Sequence, residues 1–424
     1  MPWPWPSLAA VGDNGRVITR RRFVGSFLAL VVSAGLAAGC DEQAKQRVLL
    51  ISLDGFRWDY RDRFDTPSLD ALAAAGVAAR MMQPGFPTKT FPNHFTLVTG
   101  LVPDHHGIVS NTMRDPAIPG VTFSMANHDA VVDPRWWQAE PIWTTLEKAG
   151  RPTAPFLWPG SEAPIGGVMP THWVRYQQDL TDEERTALLI SLLEKPEAEW
   201  PDFATLYWHH VDSVTHRHGP DSPEARAAAE SVDKAVGALV ARIRALDTRG
   251  SWNVIVVSDH GMSQQSPDRV IYLEDYIDLD VVDVIDSSPN LGVFPKTQTV
   301  DEVYARLKGS HPHLSVYRPG EIPARLQYGT HRRVPPIFVS ADDGWGVYAR
   351  RREGWSPGSG GAHGYDNALE SMQALFVAAG PSLKRGVRIE RMRSVDIYEL
   401  MARILDVTPR PNDGDPSVAG RFLR

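Results

Sequence analysis

Asp54 closes an apolar run, Arg47–Leu53 (RVLLISL), and Asp259-His260 closes a second, residues 253–258 (NVIVVS). A short apolar run bounded by turn residues fits a buried strand. In open α/β sheets, ligands bind beyond the carboxyl ends of the strands. Two strands that both end in metal-type side chains therefore point to a single site, although Asp54 taken alone would read as a turn residue. Asp212 and His216 lie four positions apart in DSVTH. On a helical turn that spacing puts both on one face, and carboxylate plus imidazole suits zinc. His363 sits in GGAHGY, residues 360–365, where small residues let backbone approach a site closely. His209, His210 and His218 lie near the Asp212 motif and read as surface or supporting histidines.

The segment PTKTFPNH, residues 87–94, adds a candidate nucleophile. Thr90 stands at the start of a predicted helix over 90–100, where the helix dipole favours negative charge. A threonine hydroxyl is a weak nucleophile until a base or a metal lowers its pKa. Alone, Thr90 would be an ordinary helix N-cap. Carboxylates and imidazoles gathered around it give the hydroxyl a chemical role.

The elements that must position these groups alternate. Helices are expected over 66–76, with Thr66 as cap and Pro67 in the first turn, and over a long amphipathic stretch from Ser222 to near Gly250. Further strands are expected at Phe203–Trp208 and Ala374–Ala379. Strands alternating with helices predict an α/β sheet covered on both faces. Residues 285–345 break this rhythm with prolines and short β-like pieces, and read as a small inserted α+β subdomain.

The 424 residues are 42% hydrophobic and 22% charged, with a net charge of −7. The hydrophobic share is ample for a large core, and the negative charge disfavours a basic groove for duplex nucleic acid. A negative protein that handles phosphates needs local positive charge, which metal ions supply. Cys40 is the single cysteine, so no intrachain disulfide can form. Basic residues at 20–22 precede an apolar stretch ending near Ala38, the pattern of a signal peptide. The paired arginines with a following Phe resemble a twin-arginine export signal. Ala37-Ala38-Gly39-Cys40 resembles a bacterial lipoprotein cleavage site that would leave a lipidated Cys40. Residues 1–40 are thus expected to be a leader and 41–424 the catalytic domain. The protein is expected to be exported, periplasmic or at the cell envelope, meeting membrane only through the anchor.

Together LLISLDGFRWDY, FPTKTFPNHFTLVTGLVPDHHGIVSN, the 212–220 stretch, VVSDHGM and GAHG (361–364) resemble the nucleotide pyrophosphatase/phosphodiesterase family of the alkaline phosphatase superfamily. The resemblance runs from about residue 47 to about 415. It implies an alkaline phosphatase-like central sheet between helices, with two zinc ions. Asp54, Thr90, Asp259 and His260 would hold one ion, and Asp212, His216 and His363 the other. Thr90 would be both ligand and nucleophile, forming a phosphothreonine intermediate. Asn111 would donate to a non-bridging phosphate oxygen. Phe91 would form one side of a slot for a nucleotide base, with Tyr176 the candidate for the opposite side.

Within the superfamily, sulfatases need a Cys or Ser nucleophile converted to an aldehyde, which Thr90 cannot become. Phosphomonoesterases carry extra cationic side chains, and the comparable stretch LWPGSEA (157–163) has no Lys or Arg. The expected reaction is release of nucleoside 5′-monophosphates from small phosphodiesters and phosphoanhydrides. Cleavage of lipid head groups or other non-nucleotide diesters, a phosphonate hydrolase, and a zinc-holding lipoprotein without turnover are the alternatives.

Overall fold

The computed structural model describes residues 45–354, 357 and 359–424. Residues 1–40, the expected leader with Cys40, lie outside the described residues. Seven strands build the main sheet: β1 (Arg47–Leu53), β2 (Val77–Gln83), β3 (Thr153–Pro155), β4 (Phe203–Trp208), β5 (Trp252–Val257), and, later in the chain, Ala374–Ala379 and Val387–Arg393. Between β5 and those last strands, besides short two-stranded pieces, the chain forms β6 (Val282–Ile285), β7 (Asn290–Pro295), β8 (Leu314–Tyr317) and β9 (Ile337–Ala341). The two C-terminal main-sheet strands are therefore β10 (Ala374–Ala379) and β11 (Val387–Arg393).

In space the main sheet runs β11-β2-β10-β5-β1-β4-β3. At its centre β4, β1 and β5 are parallel, pairing Leu50 with Thr205 on one side and with Ile255 on the other. β10 runs antiparallel to both its neighbours. Every residue of β1, β4 and β5 is buried. That is what their unbroken apolar character requires, because a central strand covered by helices on both faces has no solvent side on which to alternate.

The helices that matter to the site are α1 (Pro67–Ala75), α2 (Thr90–Thr99), α3 (His210–His218) and α4 (Pro223–Leu246). α4 starts on Ser222, whose hydroxyl accepts from Ala225 N–H, and it buries an Ala/Val/Leu/Ile stripe. α2 ends at Gly100, with φ +69°, where the N–H caps Thr96 O. Thr66 does not cap α1 through its side chain. The fully buried carboxylate of Asp233, on α4, accepts from Ser68 N–H and Leu69 N–H at 3.1 and 2.8 Å. A negative charge satisfies the orphan donors of α1 from across the helix pair, so a local cap is unnecessary.

Strands β6 to β9 form a separate antiparallel sheet, ordered β6-β7-β9-β8. It carries its own apolar cluster, with Val293, Val303, Leu307, Val316 and Val339 at its centre. The Asp115 carboxylate ties this region to the body, accepting two bonds from Arg332 and one from the fully buried Arg333. Among the described residues no helix is long and apolar enough to cross a membrane.

Candidate active site

Three adjacent parallel strands end at the same place. β1 runs into Asp54, β5 into Asp259 and His260, and β4 into the turn that starts α3 with Asp212 and His216. Backbone bonds stitch these ends together: Asp54 N–H donates to Trp208 O at 3.0 Å, and Asp212 N–H donates to Asp54 O at 3.1 Å. Gly55 follows Asp54 with φ +68°, and a Cβ there would lie 3.0 Å from Asp212 Cα. Only glycine permits both the left-handed turn and the close approach of α3.

The ligand-type atoms converge. Asp54, Asp212 and His260 each offer one atom within a 4.8 Å cluster, as do Asp212, His216 and His363. His260 Nε2 lies 3.0 Å from Asp259 Oδ2 and 3.5 Å from Asp54 Oδ1. His216 Nε2 and His363 Nε2 lie 3.3 and 3.5 Å from Asp212 Oδ1. His260 and His363 stack with centroids 3.6 Å apart.

Each of the three imidazoles spends its other nitrogen on a backbone carbonyl. His216 Nδ1 pairs with Gly361 O, His260 Nδ1 with Gly261 O and His363 Nδ1 with Thr88 O, at 2.8 to 2.9 Å. With Nδ1–H donating, each Nε2 presents a lone pair, the tautomer a metal requires. The close approach of His363 rests on glycine: a Cβ at Gly360 would strike His216 O at 1.9 Å. Asp54 Oδ1, Asp212 Oδ1, Asp259 Oδ2 and His260 Nε2 are buried without a hydrogen-bond partner. Buried polar atoms are rarely orphaned in a native fold, and four that face one another fit cations better than water. Burial, with the charges of Asp259 and Asp212 nearby, pushes the Asp54 carboxyl well above its usual range. Burial, with His260 and His216 beside it, drives the His363 pKa well below that of a free imidazole. A cation at this position would reverse the carboxylate crowding.

Thr90 is the first residue of α2 and 7% exposed. The following amide, Phe91 N–H, donates to Asn111 Oδ1 at 2.9 Å. That bond takes the carbonyl oxygen of Asn111 and leaves its NH2 as the donor. His94, to which the sequence alone gives no role, links the Thr90 segment to the strand ends. Its Nδ1 meets Thr90 O at 2.8 Å, its Nε2 meets Ser52 Oγ at 2.9 Å, and burial lowers its pKa. Tyr207 is a second addition. In sequence it reads better as a buried strand residue than as part of the base slot, but its hydroxyl donates to Asp54 Oδ2 at 2.5 Å. The His94 contact with Ser52 and the Tyr207 contact with Asp54 are made across the fold, so no local signal marks them.

Tyr176 is 38% exposed and lies 6.1 Å from Tyr207, with the Arg185 guanidinium 5.5 Å from its ring. Phe91 is half-buried and packs against Phe123 and Trp137. The 157–163 segment is wholly buried and braces α2, with Trp158 Nε1–H donating to His94 O at 3.0 Å. His209, His210 and His218 join no ligand cluster among the described residues.

Residues 48–366 match the model of the family described as type I phosphodiesterase / nucleotide pyrophosphatase. The chain belongs to this family. As a type I phosphodiesterase/nucleotide pyrophosphatase it is a hydrolase acting on phosphodiesters. It is 38% identical to human ectonucleotide pyrophosphatase/phosphodiesterase family member 5 over 371 residues, which is 87% of this chain and 76% of the relative. Bovine bis(5′-adenosyl)-triphosphatase ENPP4 is 37% identical, over 91% of this chain and 85% of that protein. The solved structure of murine ENPP5, in an inactive variant in complex with AMP, aligns with a TM-score of 0.84 at 37% identity, covering 89% of this chain and all of that one. The phosphodiesterase therefore has the alkaline phosphatase-like architecture: a mixed central sheet flanked by helices.

Proposed function

We propose that the protein is a zinc-dependent nucleotide phosphodiesterase and pyrophosphatase that releases nucleoside 5′-monophosphates, with Thr90 as the nucleophile. The observation that carries this reading is the set of orphaned carboxylate and imidazole atoms at the ends of β1, β4 and β5. That donor set suits two zinc ions. Asp54, Thr90, Asp259 and His260 would hold one, and Asp212, His216 and His363 the other. When bound, the ions supply positive charge that lowers the Thr90 hydroxyl pKa and offsets charge on the attacking and leaving oxygens.

The chain's own residues do the rest. Thr90 Oγ1 loses its proton to solvent and bonds to phosphorus as the bond to the leaving oxygen breaks, giving phosphothreonine. Water then cleaves the threonine–phosphorus bond and the monophosphate departs. Two in-line displacements retain configuration at phosphorus. The Asn111 NH2 donates to a non-bridging oxygen, where a fixed donor is worth most. Phe91 and Tyr176 hold the base between two aromatic faces, which any base tolerates. AMP in the murine relative and the bis(5′-adenosyl) substrate in the bovine relative's name support a nucleotide in this slot.

Charge supports a diester over a monoester. Lys89, beside the nucleophile, is neutralised by Asp286 at 2.7 Å, and residues 157–163 carry no Lys or Arg. A monoester dianion would therefore meet little side-chain charge of opposite sign. We assign the working location to the cell envelope, with Cys40 as the lipid anchor, on the leader pattern alone. The test is turnover of p-nitrophenyl thymidine 5′-monophosphate against p-nitrophenyl phosphate, with chelator and with added zinc. A diester preference lost on chelation and restored by zinc is expected. A monoester preference would defeat the reading.

A further inference from the structure

The four-stranded sheet gives no atom to the ligand cluster, yet one of its turns reaches the neighbours of both reacting groups. Asp286 follows β6 with φ +79°, a left-handed conformation that costs a residue other than glycine and persists only where its surroundings hold it. One oxygen of its buried carboxylate accepts from two chain segments: from Lys89 Nζ at 2.7 Å and from the Ser110 hydroxyl. Lys89, itself buried, also donates to Ser287 O at 3.0 Å. Nearby, Tyr328 from the same subdomain donates to Val109 O at 3.3 Å.

Lys89 immediately precedes Thr90, and Ser110 immediately precedes Asn111. We infer that Asp286 is a positioning residue: it locks Lys89-Thr90 and Ser110-Asn111 into one unit, so that nucleophile and phosphate-oxygen donor keep a fixed separation. The Phe91 N–H bond to Asn111 Oδ1 is the far side of the same unit. This inference rests on the roles proposed above for Thr90 and Asn111. Its competitor is charge compensation alone, in which Asp286 merely stops Lys89 from being buried unpaired. The two differ over Ser110, which carries no charge.

Three variants of the zinc-loaded protein separate them: Ser110→Ala, Asp286→Asn and the double variant Lys89→Met/Asp286→Asn. Misplacement by about 1 Å costs roughly 10²-fold in rate. Ser110→Ala and Asp286→Asn should therefore lower diester kcat about 10- to 100-fold, with KM and zinc content unchanged. The double variant should regain the wild-type melting temperature while kcat stays low. Wild-type kcat in Ser110→Ala, or recovery of kcat together with the melting temperature in the double variant, overturns the inference. Crystal structures of wild type and Asp286→Asn decide the matter independently of turnover. An opened Phe91 N–Asn111 Oδ1 bond supports the clamp, and superposable Thr90 and Asn111 sink it. Absence of wild-type diester turnover would instead count against the nucleotide phosphodiesterase reading, with the crystal structures still deciding for Asp286.

Discussion

The main sheet sends three neighbouring strands, β4, β1 and β5, to the site in the same direction, and each leads into a ligand-type residue. The four-stranded sheet reaches the same region with a single turn, between β6 and β7, which supplies a buffer for Lys89 and Ser110. The difference follows from strand direction. Parallel neighbours place all their carboxyl ends on one edge, so several side chains can converge there. Antiparallel neighbours alternate, so only hairpin turns face a given edge. The ligand cluster accordingly draws on the parallel core, and the antiparallel sheet holds segments in place.

That contrast breaks most visibly at Thr90, the proposed nucleophile. Thr90→Ala should lower diester kcat by about 10³-fold or more while zinc content and melting temperature stay close to wild type, measured by turnover, metal analysis and calorimetry. Turnover near the wild-type rate would remove Thr90 from the chemistry. Asn111→Ala comes next, with a loss of about 10²- to 10³-fold in kcat. If KM rose instead, Asn111 would be a ground-state contact.

The subdomain side should show the opposite signature. Asp115→Asn leaves the buried Arg333 guanidinium short of its counter-charge, which costs about 3–5 kcal/mol; melting should drop with diester kcat per folded molecule kept. Burial acts to raise the Asp115 carboxyl, but Arg332 and Arg333 outweigh it and hold the group below its usual range. The unfolded chain binds this proton first on acidification. The contribution is therefore complete above the ordinary carboxylate pKa and fades as pH falls below it. A wild-type minus Asp115→Asn stability difference that grew on acidification would contradict the pairing. The smallest effect is expected at Thr299, whose hydroxyl accepts from Glu302 N–H in a capping box on the helix Val300–Leu307. Thr299→Ala should cost about 1 kcal/mol and leave turnover untouched. A large kcat loss there would mean the subdomain transmits strain to the site more broadly than through Asp286.

Sequence alone carried the ligand cluster far because its members end long apolar runs or sit at helical spacing. Asp54, Asp259 and His260 are marked by β1 and β5, and Asp212 with His216 by their four-residue interval. Three main-sheet strands escaped, among them the edge strand β3, whose three residues are too few to show a pattern. β2 is interrupted by the exposed Arg80, and the edge strand β11 is largely charged (VRIERMR), so neither shows an apolar run. The supporting contacts escaped for another reason. Tyr207 to Asp54 spans 153 positions and Lys89 to Asp286 nearly 200, and no local pattern encodes a partner so remote. The misread cap at Thr66 is the same failure, since its replacement, Asp233, lies on another helix.

That replacement has a bearing on folding order. Helix α1 is short, and short helices are marginal until packed. Its N-terminal donors are met by a carboxylate 164 to 165 positions downstream. In a chain that emerges from its N-terminus, α1 must wait for α4 before its first turn is complete. If so, Asp233→Ala should mainly speed unfolding and barely slow folding, the signature of a contact made after the transition state. A matching slowdown of folding would place the α1–α4 pair in the nucleus instead.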